Sequence, residues 1–278
     1  MKFDTLNRAP DPDDSECHYL ELETKLSPKL SDLFVHFISA EQPFYKVQEL
    51  RAFGVDAIAL PDICSLSSKG CHFKPLDSLG SVTATYPPID THRNPHPNDA
   101  IGSRPIISSL EPIQYGGRNW LFPTKAIEDN GYCPMDGHTF FGVFTSMIKN
   151  LRYEVTSHLE WLGPTPGDGN LRQPHMKIYM VTECNGADTI ITQGEMGAIM
   201  NVFYNRVYEP GFENHSIFPV LVISEYFWRR VRIIEAVFDR SRERFTVKFT
   251  PICHFGRRDD LLWDLFLRYE GSEPQNSQ

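Results

Sequence analysis

The chain has 278 residues, 41% of them hydrophobic and 23% charged, with a formal net charge of -9. Those proportions suit a globular chain able to bury a core. The acidic balance argues against a broad basic face for gripping bare nucleic acid, although net charge is a sum and leaves room for a local basic groove.

The opening Met1-Lys2-Phe3-Asp4-Thr5-Leu6 lacks the apolar run of a secretory signal. Asp4, Asp11, Asp13 and Asp14 speak against a mitochondrial presequence. No apolar stretch approaches the roughly 18 residues of a membrane span. The protein is therefore expected to be soluble and intracellular, in cytoplasm or nucleus. Its six cysteines (Cys17, Cys64, Cys71, Cys133, Cys184 and Cys253) are expected to be mostly reduced thiols.

Residues 1–18 are polar and acidic and read as a disordered tail. Residues 19–135 read as a Pro-rich, partly ordered wrapping region. Within it, Leu30, Leu33, Phe34, Phe37 and Ile38 recur at helical spacing behind Ser27-Pro28, a fitting helix start. A short helix or strand is expected over Lys46 to Phe53, and a strand over Val55 to Leu60, stopped by Pro61. From 63 to 135 the prolines Pro75, Pro87, Pro88, Pro95, Pro97, Pro105, Pro112, Pro123 and Pro134 predict loops and short strands. Ser81 to Tyr86 and Asn119 to Phe122 are the better strand candidates.

Residues 136–271 read as the core domain. Phe140, Phe141, Phe144, Met147, Ile148, Leu151, Val155, Leu159 and Leu162 recur at three- and four-residue steps. They predict a helix from Asp136 or Thr139 to about Leu162. A strand follows over Met176 to Thr182, then a helix from about Thr192 to Tyr208. Three strands come next, over Phe218 to Ser224, Arg232 to Asp239 and Arg244 to Thr250. A helix from Asp259 to Tyr269 ends the core, and 272–278 read as a polar tail. Short turns between the three strands predict an antiparallel meander. The fold class is therefore mixed α/β (α+β). A largely antiparallel central sheet is flanked by helices, behind a loop-rich N-terminal region.

Several residues could carry chemistry. Glu235 and Asp239, four apart in one strand, share a face. Thr246, Lys248 and Thr250 share a face of the next strand. Glu195 opens the preceding helix. Arg229, Arg230, Arg232, Arg240, Arg242, Arg244, Arg257 and Arg258, with Phe227 and Trp228 among them, could hold phosphates or single-stranded bases. Nearby acids offset much of that charge. The dipeptides Cys17-His18, Cys71-His72 and Cys253-His254 lack the tight spacing of zinc knuckles. Cys133, Asp136 and His138 could form a catalytic set, or simply a loop-to-helix turn.

Two resemblances follow from these residues. The run Gln193-Gly194-Glu195-Met196, Asn205-Arg206, Pro219 to Ser224, Arg232 to Ala236 and Asp264 to Arg268 resembles a widespread group of filamentous-fungal proteins of unknown activity. That resemblance covers about 175–271 and implies a fungal source. The order helix, three strands, helix also looks like the core of the PD-(D/E)XK nucleases. Those enzymes hold magnesium with clustered carboxylates and use a lysine to help position the attacking water. The resemblance implies Glu195, Glu235 and Asp239 as metal ligands and Lys248 as the fourth catalytic group. The family has an acid two residues before its lysine, and here that position is Thr246. Three functions stay open: a nuclease-like core acting on or binding nucleic acid; a biosynthetic synthase or transferase of fungal secondary metabolism, with a small-molecule pocket under the 63–135 loops; and a non-catalytic interaction module.

Overall fold

A computed structural model describes residues 27–67, 70–78, 113–115, 118–120, 132–134, 145–148, 151–161, 172–226, 230–254 and 260–275. The expected tail at 1–18, the strand candidate at 81–86 and the residues Phe227, Trp228, Arg229, Asp136, His138, Arg257 and Arg258 lie outside them.

Helix α1 (Pro28–Ser39) begins where the sequence predicts. The Ser27 hydroxyl accepts from the Leu30 N–H at 3.3 Å, and Pro28 takes the first turn, where a missing N–H costs nothing. Strand β1 (Phe44–Lys46) leads into the short helix α2 (Val47–Ala52), closed by Gly54 at φ +81°. Strand β2 (Val55–Ala59) follows, then β3 (Phe73–Lys74) and the short ladder of β4 (Ile113–Tyr115) with β5 (Arg118–Trp120).

The central sheet is built from β2, β6 (Tyr132–Pro134), β7 (Thr145–Ile148), β8 (Leu151–Trp161), β9 (Met176–Thr182), β11 (Ile217–Tyr226), β12 (Arg230–Asp239), β13 (Arg244–Phe249) and β14 (Cys253–His254). Its order is β2-β13-β12-β11-β9-β8-β6, with β7 along β8 and β14 along β12. Strands β11, β12 and β13 form the expected antiparallel meander. Two neighbours are parallel, β9 with β11 and β2 with β13. The sheet is therefore mixed. It takes an edge strand, β2, from the stretch expected to wrap the core.

Helix α3 (Gln193–Tyr208), entered through β10 (Ile190–Thr192), covers one face with α1 packed beside it. Helix α4 (Asp260–Glu270) covers the other, followed by β15 (Glu273–Pro274), which pairs with β3. Alternation along each strand divides the side chains between two cores. Ile234, Ala236 and Phe238 face α3, whereas Val231 and Ile233 face α4.

The helix expected from 136 to 162 is replaced, within the described residues, by β7 and β8, paired antiparallel. The reason lies in a β-bulge. Tyr153 and Val155 alternate toward the α3 core, but the register shifts between Val155 and Ser157, so that Leu159 faces the α4 core instead. One extra residue breaks the two-residue period and leaves an apolar spacing that imitates a helix.

Helix α3 approaches β8 closely at Gly194. A Cβ there would lie 2.1 Å from the Tyr153 ring, which is wholly buried. Gly194→Ala is expected to lower stability by about 1–3 kcal/mol through overpacking. Urea unfolding with an unchanged m-value checks this, and a neutral effect would contradict the close approach.

Candidate functional site

The three carboxylates implied as metal ligands do not converge, whereas Lys248, the fourth residue of the set, lies beside Glu235. Glu195 sits in the first turn of α3 because Thr192 and Glu195 form a capping box. The Thr192 hydroxyl accepts from the Glu195 N–H at 3.1 Å, and the Glu195 carboxylate accepts from the Thr192 N–H at 2.9 Å. The same carboxylate accepts from the Tyr226 hydroxyl at 2.7 Å and from Arg232 Nε at 2.8 Å, with a second, close bond to the same guanidinium. Both side chains are fully buried. The guanidinium also donates to the Ile190 carbonyl at 2.7 Å and stacks over Tyr226 and Phe249 at 5.2 and 5.3 Å. Burial pushes the Glu195 carboxyl up, but Arg232 and the hydrogen bonds outweigh it and hold it below its ordinary range.

Glu235 occupies the opposite face. It is three residues from Arg232 in β12, and an odd spacing on a strand reverses direction. It stands in register with Lys248 of β13, whose ammonium lies 3.4 Å away. That ammonium also donates to the Gly70 carbonyl at 3.2 Å, and the Glu235 carboxylate accepts from the His72 N–H at 3.0 Å. The pair thus ties the 70–74 segment to the sheet. Burial raises the Glu235 carboxyl above its ordinary value despite Lys248.

Asp239 shares a face with Glu235, but four residues of strand put them roughly 13 Å apart. Its carboxylate accepts from Ser241 Oγ at 2.6 Å and from the Arg242 N–H at 3.1 Å. These bonds close the β12–β13 turn, where Glu243 adopts φ +47°. Among the described residues no three His, Cys, Asp or Glu side chains gather in a metal-binding arrangement.

Beside Glu235 and Lys248 lie Cys71 and His72, one of the Cys-His dipeptides. Burial, then Glu235, raises the Cys71 thiol. Burial, then Lys248, lowers the His72 imidazole to about 4. At neutral pH the thiol keeps its proton and the imidazole is uncharged, the reverse of an activated thiolate pair. Cys253 and His254 sit in β14 against Val231 and Arg230.

The sequence reading passed over a buried polar group on the α4 face. Lys177 of β9 is fully buried and donates to the carbonyls of Glu270 and Ser272, both at 2.7 Å. Its ammonium lies 3.8 Å over the Tyr132 ring. Burial lowers the Lys177 ammonium, while Glu270 and Glu273 oppose that shift. Burial also raises Glu270 to about 8, against the pull of Lys177. A cation at a helix C-terminus satisfies carbonyls that the helix leaves open. The signal was legible as a lone lysine within the apolar run Met176-Lys177-Ile178-Tyr179-Met180.

A further charged network joins β8 to α3. Arg206 donates to Glu160 at 3.2 Å and to Glu209 at 2.6 Å, and Arg172 bridges the same two acids. Both guanidinium groups lie over the Phe212 ring. No family model, curated protein sequence or solved structure matches the chain.

Removing Arg232 alone strands a buried carboxylate. Arg232→Met is expected to cost about 3–5 kcal/mol, and the double variant Glu195→Gln/Arg232→Met markedly less. A double-mutant cycle from urea unfolding measures the coupling, and additive losses would contradict it. The sign with pH follows from the lowered Glu195 carboxyl. Its contribution is present above the ordinary carboxylate pKa and is lost as pH falls through the lowered value. Stability of the double variant is therefore expected to fall less steeply in acid than that of the parent, read as Tm against pH.

Proposed function

We propose that this chain is a non-catalytic interaction module, whose α+β core carries a nuclease-like order of strands and helices with its acids turned to holding the fold. The observation that carries the reading is the separation of Glu195 from Glu235 to opposite sides of one sheet, each with its own cation. A divalent ion needs carboxylate oxygens converging within about 2–2.6 Å of one point. Here Glu195 and Glu235 each bond to segments remote in sequence, while Asp239 closes its own turn.

One observation favours the alternative of a magnesium-dependent nuclease: Glu235 and Lys248 stand opposite each other on neighbouring strands, although Thr246 fills the position where that family carries an acid. A magnesium titration by calorimetry, with incubation of the protein with single- and double-stranded DNA and RNA, separates the readings. The expected outcome is no heat of magnesium binding and no cleavage, in the parent and in Glu235→Gln alike. Magnesium-dependent cleavage that disappears in a folded Lys248→Ala variant would overturn the proposal in favour of the nuclease. A small-molecule enzyme is the third reading, and among the described residues the cavity lined by Lys74, Pro75, Leu76, Asp77, Ser78 and Glu273 is one place for its substrate.

A further inference from the structure

Residues 271–275 run back along β3 as a strap, seated by three sets of bonds. Lys177 holds the Glu270 and Ser272 carbonyls from inside the α4 core. Strand β15 pairs with β3 through Glu273 opposite Lys74 and Pro274 opposite Phe73. Beyond it, the Gln275 N–H donates to the His72 carbonyl at 2.8 Å, and the Cys71 thiol donates to the Gln275 side-chain oxygen at 3.3 Å. Between the strap and the 74–78 segment lies a cavity of about 230 Å³, lined by Lys74, Pro75, Leu76, Asp77, Ser78 and Glu273. The strap therefore supplies Glu273 to the wall of that cavity and Gln275 to the half-buried Cys71 thiol.

These anchors are unequal. A ribbon of two residue pairs has little stability of its own. The Gln275 contacts lie at a half-buried thiol. The Lys177 bonds are fully buried and reach the strap at its root, directly after α4. The opposite wall is held separately: Gly70 is bound to Lys248 and His72 to Glu235, so 70–74 can stay on the sheet when the strap leaves.

We propose that the 271–275 strap is a hinged arm, latched at its root by Lys177, which opens independently of the sheet, frees the Cys71 thiol from Gln275 and takes the Glu273 wall away from the 74–78 cavity. This goes beyond the interaction-module reading and stands whether or not that reading holds. Opening breaks hydrogen bonds only, and no covalent step is involved. Segments that open alone are those with few buried contacts, and along the strap burial falls from Gly271 and Ser272 to the exposed Glu273 and the half-buried Pro274 and Gln275.

Hydrogen exchange on the full chain, read by peptide mass spectrometry, tests this together with iodoacetamide labelling of Cys71. In the parent, peptides covering 271–275 are expected to exchange at least 100-fold faster than those covering 217–226. Lys177→Met is expected to accelerate the strap and the labelling of Cys71 by tenfold or more, leaving 217–226 and the buried Cys184 unchanged. Equal protection of strap and β11 in the parent would overturn the proposal. So would a Lys177→Met variant in which Cys71 and Cys184 become reactive together. Should that variant not fold, the comparison within the parent decides alone.

Discussion

The structure turns on one buried ion pair, Glu195 with Arg232. A carboxylate and a guanidinium withdrawn from water each carry a large desolvation cost, which is offset only when every lone pair and N–H finds a partner. Thr192 and Tyr226 add bonds to the carboxylate, and the Ile190 carbonyl one to the guanidinium. The pair therefore fixes where α3 starts, how β10 enters it, and which residue of β12 lies beneath it. Sliding β12 by one position would turn Arg232 toward α4 and leave the carboxylate unmatched. The register of the meander and the seat of the helix are set by the same contact.

The same logic recurs with different partners. Glu235 and Lys248 draw the 70–74 segment onto the sheet, and Lys177 collects the carbonyls at the end of α4. The Arg206 network gathers β8, the end of α3 and the residues that precede β9. Each tie spans a long stretch of chain. Hydrophobic contact drives the layers together without fixing their alignment. The ion pairs and capped carbonyls supply that alignment.

Legibility in the sequence followed the strength of the local pattern. Strands β11 to β13 and helices α1, α3 and α4 could be read because their apolar periods are unbroken and their caps are sound: Ser27 before α1, Thr192 with Glu195 at α3. Strand β8 was misread because its bulge mixes two periods. The parallel placement of β2 beside β13 was invisible, since pairing between residues 55–59 and 245–249 leaves no local trace. For the site, alternation along β12 put Glu235 and Asp239 on one face, whereas the register that sets Glu235 opposite Lys248 came only from the structure. What alternation could not say was which face α3 would cover, and that choice took Glu195 away from the others. Lys177 was missed although an isolated lysine inside an apolar strand is itself a signal that a buried cation has work to do.

The alternation of the central strands has a mechanical consequence. Because Ile233 belongs to the layer under α4 and its neighbour Ile234 to the layer under α3, a single ribbon is gripped from both sides within two residues. Neither layer can loosen without tugging the other through that ribbon. The two halves of the interior are thus expected to melt as one cooperative unit, with coincident transitions by far-UV circular dichroism and tryptophan fluorescence, despite being walled apart by the sheet.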